Sequence, residues 1–304
     1  MDVDITRRRL LVAGGGLTGL SALGIGTRHW LRSPDAPKPA VPVDDLRTNG
    51  WERTDESIDT ADVGSVGPFT FTAQTHMLQF QRPASDGAAS VRSTSSDDEF
   101  EEVITLPVEM PTHLFTARGI SMSPQAFDLP GGQIKTAART AARQDVLIQF
   151  TAQLERLGFQ LPEESDDTAT GERTNESAES DDRGAENDTS NGGSDIRTLE
   201  TRDGYTADLL EFEVTYPLPR TGVQISEEET ISLPSTAIPV TCQVALWQPS
   251  SYFMSVGSAY PARSISWDRL EEESDGEDEF EVDLDLSPEQ TEAEITAYMQ
   301  KIGR

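Results

Sequence analysis

Cysteine, histidine and lysine are nearly missing from this chain of 304 residues. It holds one cysteine, Cys242, three histidines and three lysines, Lys38, Lys135 and Lys301. A disulfide needs two cysteines, so none closes within the chain. Zinc ribbons and iron–sulfur clusters need several thiolates and are excluded on the same count. Positive charge is short as well: 24 Lys and Arg stand against 54 Asp and Glu, a formal charge of −30. Docking on bare nucleic acid requires a basic surface, so nucleic acid is not an expected partner. No H-E-x-x-H stretch and no G-x-S-x-G elbow occurs, which removes the usual zinc-protease and serine-hydrolase signatures.

What the chain does have is acid spread over its whole length, with arginine in place of lysine. That balance resembles the composition of extreme halophiles. At molar salt the Debye length is about 3 Å, so neighbouring carboxylates barely repel. In dilute buffer the same charge destabilises the compact state. The N-terminus adds Thr6-Arg7-Arg8-Arg9-Leu10-Leu11 followed by an uncharged run to Thr27. A basic stretch before an apolar one is the order of an export signal. The pair Arg7 and Arg8 with leucines just beyond fits a twin-arginine signal. Six glycines between Gly14 and Gly26 make that run a poor soluble helix. It also matches G-x-G-x-x-G at Gly14–Gly19, but arginines stand where the first strand belongs, so no dinucleotide cofactor is expected. The apolar run is near the lower length limit for a bilayer span. Both an uncleaved membrane anchor and a released protein fit it, and the expected location is outside the cytoplasm.

Residues 1–32 therefore read as signal or anchor. The prolines Pro34, Pro37, Pro39 and Pro42 make residues 33–49 a stiff stalk, and a folded domain spans 50–302. Two acidic inserts, 83–102 and 163–195, are expected to be disordered. The second holds 12 acids and no Val, Ile, Leu or Phe, too little apolar surface to offset ordering entropy. Its sequons make Asn175 and Asn187 candidate N-glycosylation acceptors.

Alternating apolar residues predict strands at Pro68–Phe80, Val103–Leu106, His113–Met122, Ala207–Tyr216, Gly222–Leu233, Ile238–Gln248 and Tyr252–Tyr260. Residues Trp247 to Tyr252 read as a hairpin turn. Phe280, Val282, Leu284 and Leu286 alternate inside an acidic run and predict an edge strand. Apolar residues at helical spacing from Gln133 to Leu157, capped by Gly158, predict one long helix. Ser287-Pro288-Glu289-Gln290 opens a short C-terminal helix as a capping box. The expected fold is α+β: one domain, mainly antiparallel sheet packed against the long helix.

Candidate chemistry is sparse. His76 and His113 are the histidines of the domain, and with 54 acids they leave room for a hydrolase working through carboxylates or through either histidine. The atoms for copper exist in His76, Met77, Met110, His113, Cys242 and Met254, but no histidine follows Cys242 at short spacing. Cys242 reads as a small buried hydrophobe. Trp51, Trp247, Tyr252 and Tyr260 line either a core or a pocket. Arg139, Arg143 and Arg156 read as surface arginines paired with acids. No catalytic residue, metal ligand or cofactor site is assigned.

Several stretches, in order, resemble a haloarchaeal exported family catalogued as the domain of unknown function number 6517. They are Gly50-Trp51-Glu52, Gly67-Pro68-Phe69-Thr70-Phe71-Thr72-Ala73 with His76, and Phe115-Thr116-Ala117-Arg118-Gly119-Ile120. Leu129-Pro130-Gly131-Gly132, Ala245-Leu246-Trp247 and Gly257-Ser258-Ala259-Tyr260-Pro261 complete the set. The resemblance implies export and, in many members, a lipid anchor, whose cysteine this chain lacks. It implies no activity. The expected function is a non-enzymatic binding or interaction domain at the outer membrane face, contacting the membrane through its N-terminal segment and recognising a small ligand or a protein.

Overall fold

The computed structural model describes residues 35–66, 69–93, 101–123, 132–162, 196–225, 230–271 and 279–303. Its elements in chain order are α1 (Val43–Thr48), β1 (Glu52–Val66), β2 (Phe69–Pro83), β3 (Ala88–Ser93), β4 (Glu101–Thr105), β5 (Thr112–Ser123) and α2 (Gly132–Arg156). Then come β6 (Ile196–Glu200), β7 (Thr206–Leu218), β8 (Thr221–Gln224), β9 (Thr230–Leu233), β10 (Thr236–Trp247), β11 (Tyr252–Pro261), β12 (Ile265–Glu271), β13 (Glu279–Leu284) and α3 (Pro288–Lys301). Antiparallel sheet dominates, with a few helices.

The central sheet has seven strands in the order β1-β2-β5-β11-β10-β7-β6. A second sheet runs β12-β13-β3-β4, and β8 and β9 form a separate ribbon. Side chains alternate across a strand, so each central strand feeds two cores. On one face Leu114, Ile120, Val240, Cys242, Val244 and Phe253 join a core with α2, the four-stranded sheet and the ribbon. On the other, Leu78, Phe80, Phe115, Met254 and Val256 pack with Trp51, Leu46 of α1, and Ile295, Tyr298 and Met299 of α3. Being covered on both sides is why β11 is buried at every position and why it reads as a continuous apolar run rather than an alternating one.

Helix α2 buries Ala138, Ala142, Val146, Phe150 and Leu154, one residue every four. The Phe150 ring lies so close to β11 that a Cβ on Gly257 would stand 2.7 Å from it, which accounts for the glycine. Gly158 adopts φ +86, and the helix ends in two reversed bonds, Gly158 N to Glu155 O at 3.0 Å and Phe159 N to Leu154 O at 3.1 Å. That is the Schellman pattern, and it needs a left-handed residue that glycine supplies without a Cβ clash.

Several expectations are corrected. A sheet packed against one long helix does not describe the architecture: α2 shares its face with a second sheet, and helices are the minor component. The stalk over 33–49 is, from residue 35 on, part of the domain: Leu46 is fully buried, Ala40 and Gly303 form a β-bridge, and the Pro37 carbonyl sits where a Cβ of Gly119 would be. The insert at 83–102 contains strand β3, held by the inward side chains of Ala89 and Val91. Gly222–Leu233 is a two-stranded ribbon, not one strand. The alternating strand β13 buries Phe280, Val282 and Leu284 as expected, but it lies between β12 and β3 rather than at an edge. Ser287 takes a left-handed φ of 44 and makes no side-chain cap on α3. Its N–H instead donates to Asp285 Oδ1 at 2.8 Å, and Thr291 Oγ1 donates back to the Ser287 carbonyl at 3.1 Å. The insert at 163–195, with Asn175 and Asn187, and the signal segment with Arg7 and Arg8 lie outside the described residues.

Candidate functional site

His76 and His113 both project from the face of the central sheet that packs on α1 and α3. His76 pairs across to Gly119 on β5, and His113 begins the same strand. Six residues of strand separate the two positions, about 20 Å, so they do not form one site. Cys242 projects to the opposite face, in the core under α2. His76, His113 and Cys242 are therefore not brought together as copper ligands would have to be.

His76 Nε2 lies 3.2 Å from Glu56 Oε1. The same carboxylate accepts from Lys38 Nζ at 2.5 Å and from Arg53 Nη1 at 2.8 Å. The hydrogen bonds from Lys38 and His76 hold the Glu56 carboxyl below its ordinary range. A carboxylate bound by so many cationic or polar donors is a weak base and a weak nucleophile. Its evident work is to tie Lys38, and with it the segment 35–42, onto β1. Close by, Ala36 N donates to Gln74 Oε1 at 2.8 Å.

His113 is 2 % exposed. Arg82 approaches its Nδ1 with Nε at 3.3 Å and Nη2 at 3.1 Å. Guanidinium only donates, so Nδ1 is the acceptor and the ring proton is on Nε2, which has no partner among the described residues. Burial, with the Arg82 charge adding to it, pushes the imidazole down to about 3. Arg82 also donates to Glu294 Oε2 at 2.9 Å and to the Asn49 carbonyl at 3.0 Å. It stacks over Trp51 with 5.1 Å to the ring centroid. The group joins β2, β5, the loop before β1 and α3. It holds these elements together.

Arg118 is the one Lys, Arg, Asp or Glu in β5. Its guanidinium is 2 % exposed and donates to two neutral amides of α2, Gln149 Oε1 at 3.0 Å and Gln153 Oε1 at 3.4 Å. Gln149 passes the contact on to Asp145 Oδ2 at 2.8 Å, and Gln153 donates to Gln79 Oε1. Burial lowers the guanidinium to about 10, opposed by the charges of Asp145 and Asp59. Burial also raises the Asp145 carboxyl. Cation and anion thus communicate through an amide rather than touching, and Arg118 Nε is left without a partner. Neither Arg82 nor Arg118 stands out from the residue periodicity of the sequence. For Arg118 the sequence held one cue, a lone charge within a run of buried strand residues.

Trp51, Trp247, Tyr252 and Tyr260 all belong to the core beneath α1 and α3. Cys242 is fully buried, and burial raises its thiol. The cavity between α2, β7 and β10 measures about 10 Å³ and is rimmed by Arg143 and Asp208, room for one water. A larger, open depression of about 440 Å³ lies between the β6–β7 turn and α3, lined by Glu200, Thr201, Arg202, Ala297, Gln300 and Lys301. No helix among the described residues is long and apolar enough to cross a membrane. No family model, curated protein or solved structure matches the chain.

Proposed function

We propose that this chain is an exported, halophilic interaction domain, presented at the outer face of the membrane and working without catalysis. The observation that supports it is how the chemistry-bearing side chains are employed. Glu56 and His76 fasten the N-terminal strap, and Arg82, His113 and Glu294 fasten α3. What remains for recognition is surface. In this reading Arg7 and Arg8 direct export, the apolar run to Thr27 is the membrane contact when it is retained, and kinship with the haloarchaeal exported family belongs to the same proposal.

Fractionation of a haloarchaeal host expressing the wild type and the variant Arg7→Lys/Arg8→Lys tests this directly. The wild type should leave the cytoplasm and the variant should stay. Intact mass then reports whether the N-terminal segment is retained and whether Asn175 or Asn187 carries a glycan. Finding both proteins soluble in the cytoplasm at full mass would end the proposal.

A further inference from the structure

The first thirteen residues of α2, Gly132–Gln144, contain Lys135, Arg139 and Arg143 and no acid. The three cations are four residues apart, so they line one side of the helix over about 12 Å. Lys135 and Arg139 are exposed and Arg143 is half-buried. Elsewhere Lys38, Arg53, Arg82, Arg92, Arg197 and Lys301 each lie within ion-pair distance of a carboxylate, while Arg47, Arg156, Arg202, Arg220 and Arg263 are exposed without one among the described residues but are not gathered on one helix side. Among the described residues none of Lys135, Arg139 and Arg143 has such a partner, although the chain carries 54 acids. Like charges at this spacing oppose each other on a helix.

The position of this strip in the fold is informative. Arg139 Nη2 donates to Gln248 Oε1 at 3.4 Å, in the turn between β10 and β11. Tyr252, which opens β11, pairs with Ser121, and Ser121 pairs with Gln74. Gln74 is the residue that receives Ala36 N. The chain therefore enters the domain at the same end of the central sheet that carries the strip. A tether at the N-terminus brings that end nearest to the surface it is anchored in.

We infer that Lys135, Arg139 and Arg143 form a docking strip for the anionic headgroups of the bilayer in which the N-terminal segment is anchored. The inference rests on the proposed anchor. A body of charge −30 approaches anionic headgroups favourably only through a cationic face, and tethering supplies the local concentration. At molar salt, charges interact only near contact, within about 3 Å. The exposed Lys135 and Arg139, with the half-buried Arg143 beside them, meet that condition at the surface, and a diffuse field does not. The strip fixes which end of the domain faces the membrane and leaves the other end outward for partners.

The test uses the full chain reconstituted into vesicles of phosphatidylglycerol or of phosphatidylcholine in molar potassium chloride. A fluorophore is placed through Thr140→Cys on α2, and in a separate protein through Thr54→Cys at the far end of β1. The native Cys242 is fully buried and does not label. Headgroup-spin-labelled lipid then reports proximity by quenching. At position 140, quenching should be at least about threefold greater in phosphatidylglycerol, and it should fall to the phosphatidylcholine level in Lys135→Gln/Arg139→Gln/Arg143→Gln. At position 54 it should be weak in both. Equal quenching at 140 in the two lipids, or quenching indifferent to the triple variant, overturns the inference while the anchor stands. Failure of the chain to float with either vesicle overturns the anchor and the inference together. Shielding of position 140 by added polyglutamate, with no response to vesicles, assigns the strip to an acidic polypeptide and likewise overturns it.

Discussion

Lowering the pH from neutral should destabilise this protein chiefly through one imidazole. His113 is held neutral in the folded state, about 3 against an ordinary 6.5, because protonation would place a second cation beside Arg82 in a buried site. The unfolded chain takes up that proton between these two values, so stability rises with pH through the window and is complete above 6.5. Integrated from about pH 7.5 to about pH 5, the linkage removes about 2 kcal/mol. His113→Asn keeps an acceptor toward Arg82 and cannot titrate. Its stability at neutral pH should be lower because ring packing against Trp51 is lost. Its loss between the two pH values should nonetheless be smaller than the wild type's by about 2 kcal/mol. The raised Asp145 carboxyl acts with the opposite sign, favouring the folded state at low pH, but it is common to both proteins and cancels. Urea titration in molar potassium chloride, followed by tryptophan fluorescence, reads the difference. Equal acid sensitivity of the two proteins, within about 0.5 kcal/mol, would refute the assignment of the proton uptake to His113.

Three further outcomes are expected. Gly119→Ala places a methyl group 1.9 Å from the Pro37 carbonyl, so the strap must shift; stability should fall by about 1–3 kcal/mol, and limited proteolysis should begin near residues 35–42. Gly257→Ala collides with the Phe150 ring at 2.7 Å and with Thr116 Oγ1 at 2.9 Å; it should cost about 1–3 kcal/mol, and pairing it with Phe150→Leu should recover part of the loss in a double-mutant cycle. Dilution from molar salt into low salt should lower the melting temperature steeply, because the surplus acids are then unscreened; a melting temperature independent of salt would remove the halophile reading.

Long strands buried on both faces were legible, whereas short or thinly covered ones were not, β12 included although it buries Trp267 and Leu270. β5, β7, β10 and β11 carry their apolar pattern in the sequence because two cores demand it. β1 does not: Ile58 is 62 % exposed, and an edge strand covered on few positions leaves no period to read. β3 is missed for a related reason, since only Ala89 and Val91 are buried in it, too few apolar side chains to set a period. Alternation in β13 reveals that one face is buried but not that β12 and β3 flank it, since neighbours are a property of the whole sheet. Prolines correctly signal an extended segment before residue 43, but extension is the same for a free stalk and for a strap lying on a sheet. The candidate site was legible only in its residue types. That Glu56 would be surrounded by Lys38, Arg53 and His76 depends on strand register across β1 and β2, which no local pattern encodes.

The strap has a consequence for how the chain reaches its final form. Ala40 N donates to the Gly303 carbonyl at 3.0 Å, and Gly303 N returns the bond at 3.3 Å. The surface on which residues 36–40 come to rest is assembled from residues 56, 74, 119 and 303. Among the first described residues to leave the ribosome, they find their last contact among those synthesised at the far end. Closing so long a loop is slow relative to local pairing, so docking of the strap should be the final event of folding, after synthesis has passed residue 303. An N-terminal segment already engaged by export machinery that threads unfolded chains would hold those residues away from their seat. Under the proposed export, transport after folding is complete avoids that competition, which would give the arginine pair at the N-terminus a mechanical rationale as well as a chemical one.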